Sequence, residues 1–200
     1  SRKAVTTVDA GTFWMGHNSF FFYDGSNVRE LQCDVEDYVF GDINNAQISK
    51  AWSMALGQQG EIWWFYCSSG SNEIDRYVSY DYKQGHWMTG TLSRTCGVDR
   101  GVFSHPLMMS VGGTMYDHES GLNYEGATVF AETGPFSIGS GDNLVKVTKL
   151  IPDELTQGDV SATFKTRLYP NGSETAHGPF NMANPTSVRF SGRQARMRVE

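Results

Sequence analysis

Charge is scarce in this 200-residue chain, and so are cysteine, proline and long apolar runs. Only 19% of residues are Asp, Glu, Lys or Arg, and the formal net charge is −6. A general nucleic-acid binder carries a basic face, so this balance speaks against tight DNA binding. "RFSGRQARMR" near the C-terminus is nevertheless locally basic. Three cysteines, Cys33, Cys67 and Cys96, form an odd set without close spacing. A disulfide framework or a zinc site needs pairs, as in C-x-x-C, so buried free thiols are expected instead. No window holds the roughly 18 apolar residues of a membrane-spanning helix. No basic segment followed by an apolar one opens the chain as a signal peptide would. It begins on "SRKAVTT" without an initiator Met and closes on the strand-like "ARMRVE", as expected of a fragment or processed piece of something longer.

Catalytic signatures are missing as well. His17, His86, His105, His118 and His177 show neither H-E-x-x-H nor H-x-H spacing. Asp117, His118 and Glu119 are adjacent, but neighbours on a strand point to opposite faces and do not easily share a metal, so the stretch reads as a polar turn. "GSGDN" (139–143) matches half a calcium loop without the later acidic ligands. There is no G-x-S-x-G elbow and no P-loop. Cys96 in "RTCGVDRG" reads as a buried thiol rather than a nucleophile. Glu36-Asp37 and Asp153-Glu154 are carboxylate pairs of the kind a glycosidase uses, but adjacency does not say which carboxylates converge in space. The sequence therefore assigns no catalytic, cofactor-binding or metal residue, and no enzymatic activity is expected.

What the chain does have is aromatic residues, at 13%, and 22 glycines, within a hydrophobic fraction of 39%. That mixture favours strands and turns over helices. At most a turn or two of helix is expected, near "DINNAQISKAW". "GTFWMGHNSFFFYDGSN" and "AWSMALGQQGEIWWFYCSSGSN" share an apolar segment ending in Gly (Gly16, Gly57), three residues, an apolar run and a small polar turn. A weaker copy surrounds Gly112. The offset from Gly16 to Gly57 is 41 residues, near the spacing of four-stranded propeller blades. The best single blade covers about 50 to 95: "KAWSMALG", "EIWWFYCSS", "DRYVSYDY" and "HWMTGTL". Strands covered on both faces read as continuous apolar runs. Trp63, Trp64 and Phe65 are therefore expected to be buried blade-to-blade packing, with a ligand platform as the alternative.

Residues 131 to 200 alternate instead. Val160, Ala162, Phe164, Thr166 and Leu168 face one way, and Ser161, Thr163, Lys165, Arg167 and Tyr169 the other. "YPNG" ends that strand in a turn, and Pro152 stops the neighbouring "NLVKVTKLIP". In "SVRFSGRQARMRVE" the inward set changes parity after Phe190, which a glycine bulge at Ser191-Gly192 explains; two separate short strands are the simpler alternative. The fold class expected is all-β: partial β-propeller-like blades over 1–130, then a small antiparallel β-sandwich over 131–200.

The blocks "VRELQCDVEDYVFGDIN", "GEIWWFYCSSGSNEIDRYVSYDYKQGHWMTGTLSRT", "HPLMMSVGGTMYDHESG" and "ETGPFSIGSGDNLVKVTKLIPDE…GDVSATFKTRLYPNGSE" occur in this order. Together they resemble structural tail proteins of short-tailed bacteriophages and prophages: the β-propeller tail hub, nozzle or head-to-tail stabilisation proteins. The resemblance covers most of the chain and implies the C-terminal portion of a larger tail protein, without catalytic residues or cofactors. It implies a virion component working as an assembled scaffold and DNA conduit. Its partners would be other tail proteins in a cyclic homo-oligomer, through which DNA passes without specific binding. Arg189, Arg196 and Arg198, with Arg193 beside the bulge, are the candidate interface residues, against a solvated strand face. Two other readings stay open. One is a carbohydrate-binding or glycan-degrading propeller or sandwich module; the other is a cell-surface adhesion module.

Overall fold

The computed structural model describes residues 1–121, 128–140, 142–152, 160–183 and 185–200. Antiparallel sheets dominate it, and among the described residues none closes into a barrel. The fold class is thus the all-β one expected. The chain folds as two compact units, Ser1–Leu122 and Asn123–Glu200.

The first unit opens with a four-stranded meander, sheet one. Its strands are β1 (Val5–Val8), β2 (Gly11–Met15), β3 (Phe20–Tyr23) and β4 (Val28–Leu31). Helix α1 (Glu36–Asp42) follows, with two acidic residues in its first turn, where they complement the helix dipole. A 3-10 segment over Asn45–Lys50 comes next, capped by the Asn44 side chain, which accepts from the Ala46 amide at 3.1 Å. The expected helical stretch thus holds the 3-10 turn, while the α-helix lies mostly before it. Sheet two is a second meander, β5 (Trp52–Leu56), β6 (Glu61–Tyr66), β7 (Arg76–Asp81) and β8 (His86–Thr91). Its four strands are those of the blade read from the sequence. Sheet three is shorter: β9 (Cys96–Val98), β10 (Leu107–Met109) and β11 (Met115–Asp117), with β10 central.

The sheets stack face on face. Phe13, Met15, Phe20 and Phe22 of sheet one pack on Ile62, Trp64, Tyr66 and Val78 of sheet two. The opposite face of sheet two, with Trp52, Met54, Leu56 and Phe65, packs on Met108 of sheet three. Gly97 makes the second contact close, because a Cβ there would lie 2.9 Å from the Met54 sulfur. Strand β6 is therefore packed on both faces, and its run of large residues follows from that. The first strands of successive sheets are neighbours: Lys3 bridges Trp52 in parallel, and the Thr6 and Ser53 hydroxyls are 2.6 Å apart.

Two expectations change here. Trp64 and Phe65 are fully buried at 0% exposure, but Trp63 is only half-buried. Its ring stacks on Tyr77 at 4.3 Å and its indole N–H donates to the Glu61 carboxylate at 2.7 Å, so this side chain keeps one edge in water. The 41-residue offset is also out of step. Gly16 and Gly112 fall between the second and third strands of their sheets, whereas Gly57 falls between the first and second. Equivalent first strands begin at Val5, Trp52 and Cys96, so the structural spacing is 47 and then 44 residues.

A shorter signal marks the repeat in register. Tyr23-Asp24, Tyr80-Asp81 and Tyr116-Asp117 all stand at the end of the third strand of a sheet. Asp24 accepts from the amides of Ser26 and Asn27 at 2.9 and 2.8 Å. Asp81 does the same for Lys83 and Gln84 at 2.8 and 2.9 Å. An Asp side chain that ties its own following amides is how this residue type starts a turn.

The second unit is a small sandwich. One sheet holds β12 (Ala131–Glu132), β13 (Phe136–Ser137), β15 (Ser161–Arg167), β16 (Thr175–Asn181) and β18 (Gln194–Val199). The other pairs β14 (Val145–Leu150) with β17 (Thr186–Gly192). Between them lie Ala162, Phe164, Met182, Val188 and Phe190. The alternation read for 160–168 holds along β15, where Ala162, Phe164 and Thr166 are buried. The glycine bulge does not. The chain crosses from one sheet to the other at Arg193, so β17 and β18 are separate strands, and the crossover produces the change of parity.

Candidate assembly surfaces

The outer face of β15 and β18 is polar. Cross-strand pairing sets Lys165 opposite Arg196, Thr163 opposite Arg198 and Arg167 opposite Gln194. β12 then brings Glu132 opposite Arg198. The Lys165 ammonium donates to both Glu132 oxygens, at 3.1 and 2.9 Å, and Arg196 reaches the same carboxylate at 3.4 Å. Arg196 also pairs with Glu174 at 3.2 Å, and Arg198 with Glu200 at 2.5 Å. The Arg198 guanidinium lies 3.8 Å over the Phe130 ring. The hydrogen bond from Lys165, together with these cations, holds the Glu132 carboxyl below its ordinary value.

The candidate arginines are thus divided. Arg196 and Arg198 are engaged within their own sheet, and Arg193 pairs with Asp142. That pairing gives part of "GSGDN" an ionic role. Arg189 stands on the other sheet, exposed on the outer side of β17. There it joins Lys146 and Lys149 of β14, both exposed. A register shift between Val147 and Lys149 turns both lysines outward although they are three residues apart. Strict alternation hides that cationic face, and only a bulge read in β14 could have found it. The pairing of β14 with β17 therefore replaces the single four-arginine strand by two surfaces, one internally neutralised and one open.

Replacing Glu132 with Gln is expected to cost about 2 kcal/mol at neutral pH, because charge-assisted hydrogen bonds are lost around three cations. The carboxyl's folded pKa is depressed, so its contribution is complete above the ordinary value near 4.5 and fades as pH falls through the lowered one. Urea midpoints of wild type and E132Q should differ at pH 7 and converge in acid. Equal midpoints at pH 7 would count against the cluster.

The candidate chemical residues are dispersed. Among the described residues, no group of three or more His, Cys, Asp or Glu is placed to hold a metal. His118 accepts from the Arg94 Nε at 2.9 Å, and burial, then the Arg94 charge, push its pKa down to about 4. The stretch read as a polar turn is thereby tied to the start of sheet three. Cys67 is buried and Cys33 half-buried, and desolvation raises both thiols, Cys33 to about 11. Cys96 is exposed, contrary to the buried thiol expected, because it faces outward on β9. Glu36 accepts from Ser19 at 3.2 Å, and the Asp153-Glu154 pair lies outside the described residues. A cleft of about 440 Å³ is lined by Gln58, Gln59, Arg100, Ser104, His105, Pro106 and Glu119. It offers one carboxylate, from Glu119, and no Phe, Tyr or Trp ring. No helix among the described residues is long and apolar enough to cross a membrane.

No protein-family model matches the chain, and no curated protein matches it.

Proposed function

We propose that this chain is a structural component of a bacteriophage tail, part of a hub, nozzle or head-to-tail connector, working as an assembled scaffold through which DNA passes. The observation that carries the reading is the tandem stack of antiparallel sheets with β6 buried on both faces. Such a stack makes a rigid wall and keeps most strand edges paired. Charge supports it. The whole net charge of −6 rests on the Ser1–Leu122 unit, since the other unit has equal numbers of acidic and basic residues. A wall with few phosphate-neutralising contacts lets DNA slide. The cationic face of β14 and β17 suits a carboxylate-bearing partner among other tail proteins. The five tryptophans are all buried or half-buried, which weighs against a sugar-binding platform.

Mass spectrometry of purified particles tests this. The chain should be recovered in stoichiometric amount with the other tail proteins. Recovery only as a free protein that hydrolyses glycans would replace the scaffold reading with the carbohydrate one.

A further inference from the structure

Sheet three rests on little. Its strands have three residues each, and Met108 is the one buried residue among them. A sheet that buries so little apolar surface opens at a lower free energy than the core beneath it. A polar contact just past the end of β11, at the half-buried His118, adds to its hold. The His118 amide donates to the Pro106 carbonyl at 2.8 Å, and its Nε2 lies 2.9 Å from the Arg94 Nε. Arg94 belongs to the connection from β8 to β9. Its guanidinium lies 4.1 Å over the Tyr116 ring of β11, and its carbonyl accepts from the Trp52 indole of sheet two at 2.9 Å. One residue thus joins sheet two, the connection and the last strand of sheet three.

A guanidinium carries donors only and keeps its charge at any ordinary pH. The Nε2 facing it is therefore the acceptor, and the imidazole is neutral with its proton on Nδ1. A proton on Nε2 removes that acceptor and presses a second cation against the first. Burial and then the Arg94 charge hold the imidazole neutral down to about pH 4, while Asp117 on β11 opposes them. Glu119, the next residue, lines a cleft with His105 and Arg100. An opened sheet three returns His118 to the ordinary value of 6.5.

We propose that the Arg94–His118 contact is an acid-released latch, and that protonation of His118 frees β11 and lifts sheet three from sheet two. The face uncovered on sheet two holds Trp52, Met54, Leu56 and Phe65. The direction follows from linkage. The opened form binds the proton more tightly, so opening becomes easier as pH falls from about 6.5 to about 4 and is insensitive to this histidine outside that window. With those two values the opening constant rises roughly 30-fold between pH 7.5 and pH 5. Histidine is the side chain suited to such a switch, because its ordinary value lies where modest acidification acts.

Hydrogen exchange in the full chain, corrected for the intrinsic rate at each pH, reads the opening through the His118 amide and those of β10 and β11. In the wild type these amides should lose protection roughly 30-fold between pH 7.5 and pH 5. His118→Gln keeps a neutral acceptor at every pH and should show no such loss, while the amides of sheet one behave alike in both proteins. His118→Phe has no acceptor and should be less protected already at pH 7.5, with no further loss in acid. Wild-type protection that does not change with pH, or the same acid loss in His118→Gln, would overturn the proposal. Should the variants misfold, a nitrogen NMR titration of the wild-type imidazole decides. A neutral ring protonated on Nδ1 that titrates near pH 4 supports the latch. A ring protonated on Nε2, or one titrating near 6.5, overturns it.

Discussion

Trp64→Ala is expected to unfold the Ser1–Leu122 unit, with a loss of about 3 to 5 kcal/mol. Trp64 is 0% exposed and sits where sheet one meets sheet two, 4.9 Å from the Phe20 ring and 6.0 Å from Trp87 by centroid. Rings from β3, β6 and β8 meet at this point, so removing the indole leaves a cavity that three strands would have to fill together. A typical domain's whole stability is about 5 to 15 kcal/mol, so the variant should be near or past its unfolding threshold. Trp63→Ala is the control. Its ring is half-exposed and faces sheet three, so its loss should be clearly smaller. Thermal and urea unfolding of both variants check the difference. Equal midpoints for the two, or an unchanged midpoint for Trp64→Ala, would contradict the double-faced burial of β6.

The second large effect is expected at Gly11, where Ala should cost about 3 kcal/mol or more. Gly11 opens β2 at φ 140°, a conformation that L side chains rarely adopt. A Cβ there would also lie 2.2 Å from the backbone carbonyl oxygen of Tyr23, which cannot swing aside. Gly60 holds the comparable place before β6 with φ 84°, but its added Cβ would meet only the flexible Lys83 side chain, at 2.6 Å. Gly60→Ala should therefore cost less, about 1 to 2 kcal/mol from backbone strain. A larger loss at Gly60 than at Gly11 in the same denaturation assay would mean that the carbonyl contact is not what fixes the β2–β3 register.

These two sites show which part of the fold could be read from sequence. Sheet two was legible because its strands are long and its turns punctuated: the apolar run at 61–67, the alternation at 76–82 and the glycine at 85 each set a boundary. Strand β15 was legible for the same reason, since alternation records one buried and one wet face. The repeat was mis-registered because Gly16 and Gly57 both follow apolar strands, and glycine punctuates every hairpin alike. Tyr-Asp at 23–24, 80–81 and 116–117 was the better marker, since the Asp side chain does a specific job in the turns after β3 and β7. The path of β17 into β18 was misread because a bulge and a change of sheet shift parity identically along one chain. Only the pairing of β14 with β17 distinguishes them.

The assembly surfaces were less legible still. Arg196 looked free because its partners, Glu132 and Glu174, are distant in sequence. The lysines of β14 looked like residues of opposite faces because the bulge that aligns them leaves no composition signal.

The proposed place of this chain in a tail is tested most directly by antibody labelling of intact particles, imaged in ice. The account predicts label confined to the tail, at the hub, nozzle or head-to-tail junction, with density there that accommodates stacked three- and four-stranded sheets. Particles that bind no antibody, while the same antibody detects the chain free in the lysate, would contradict it.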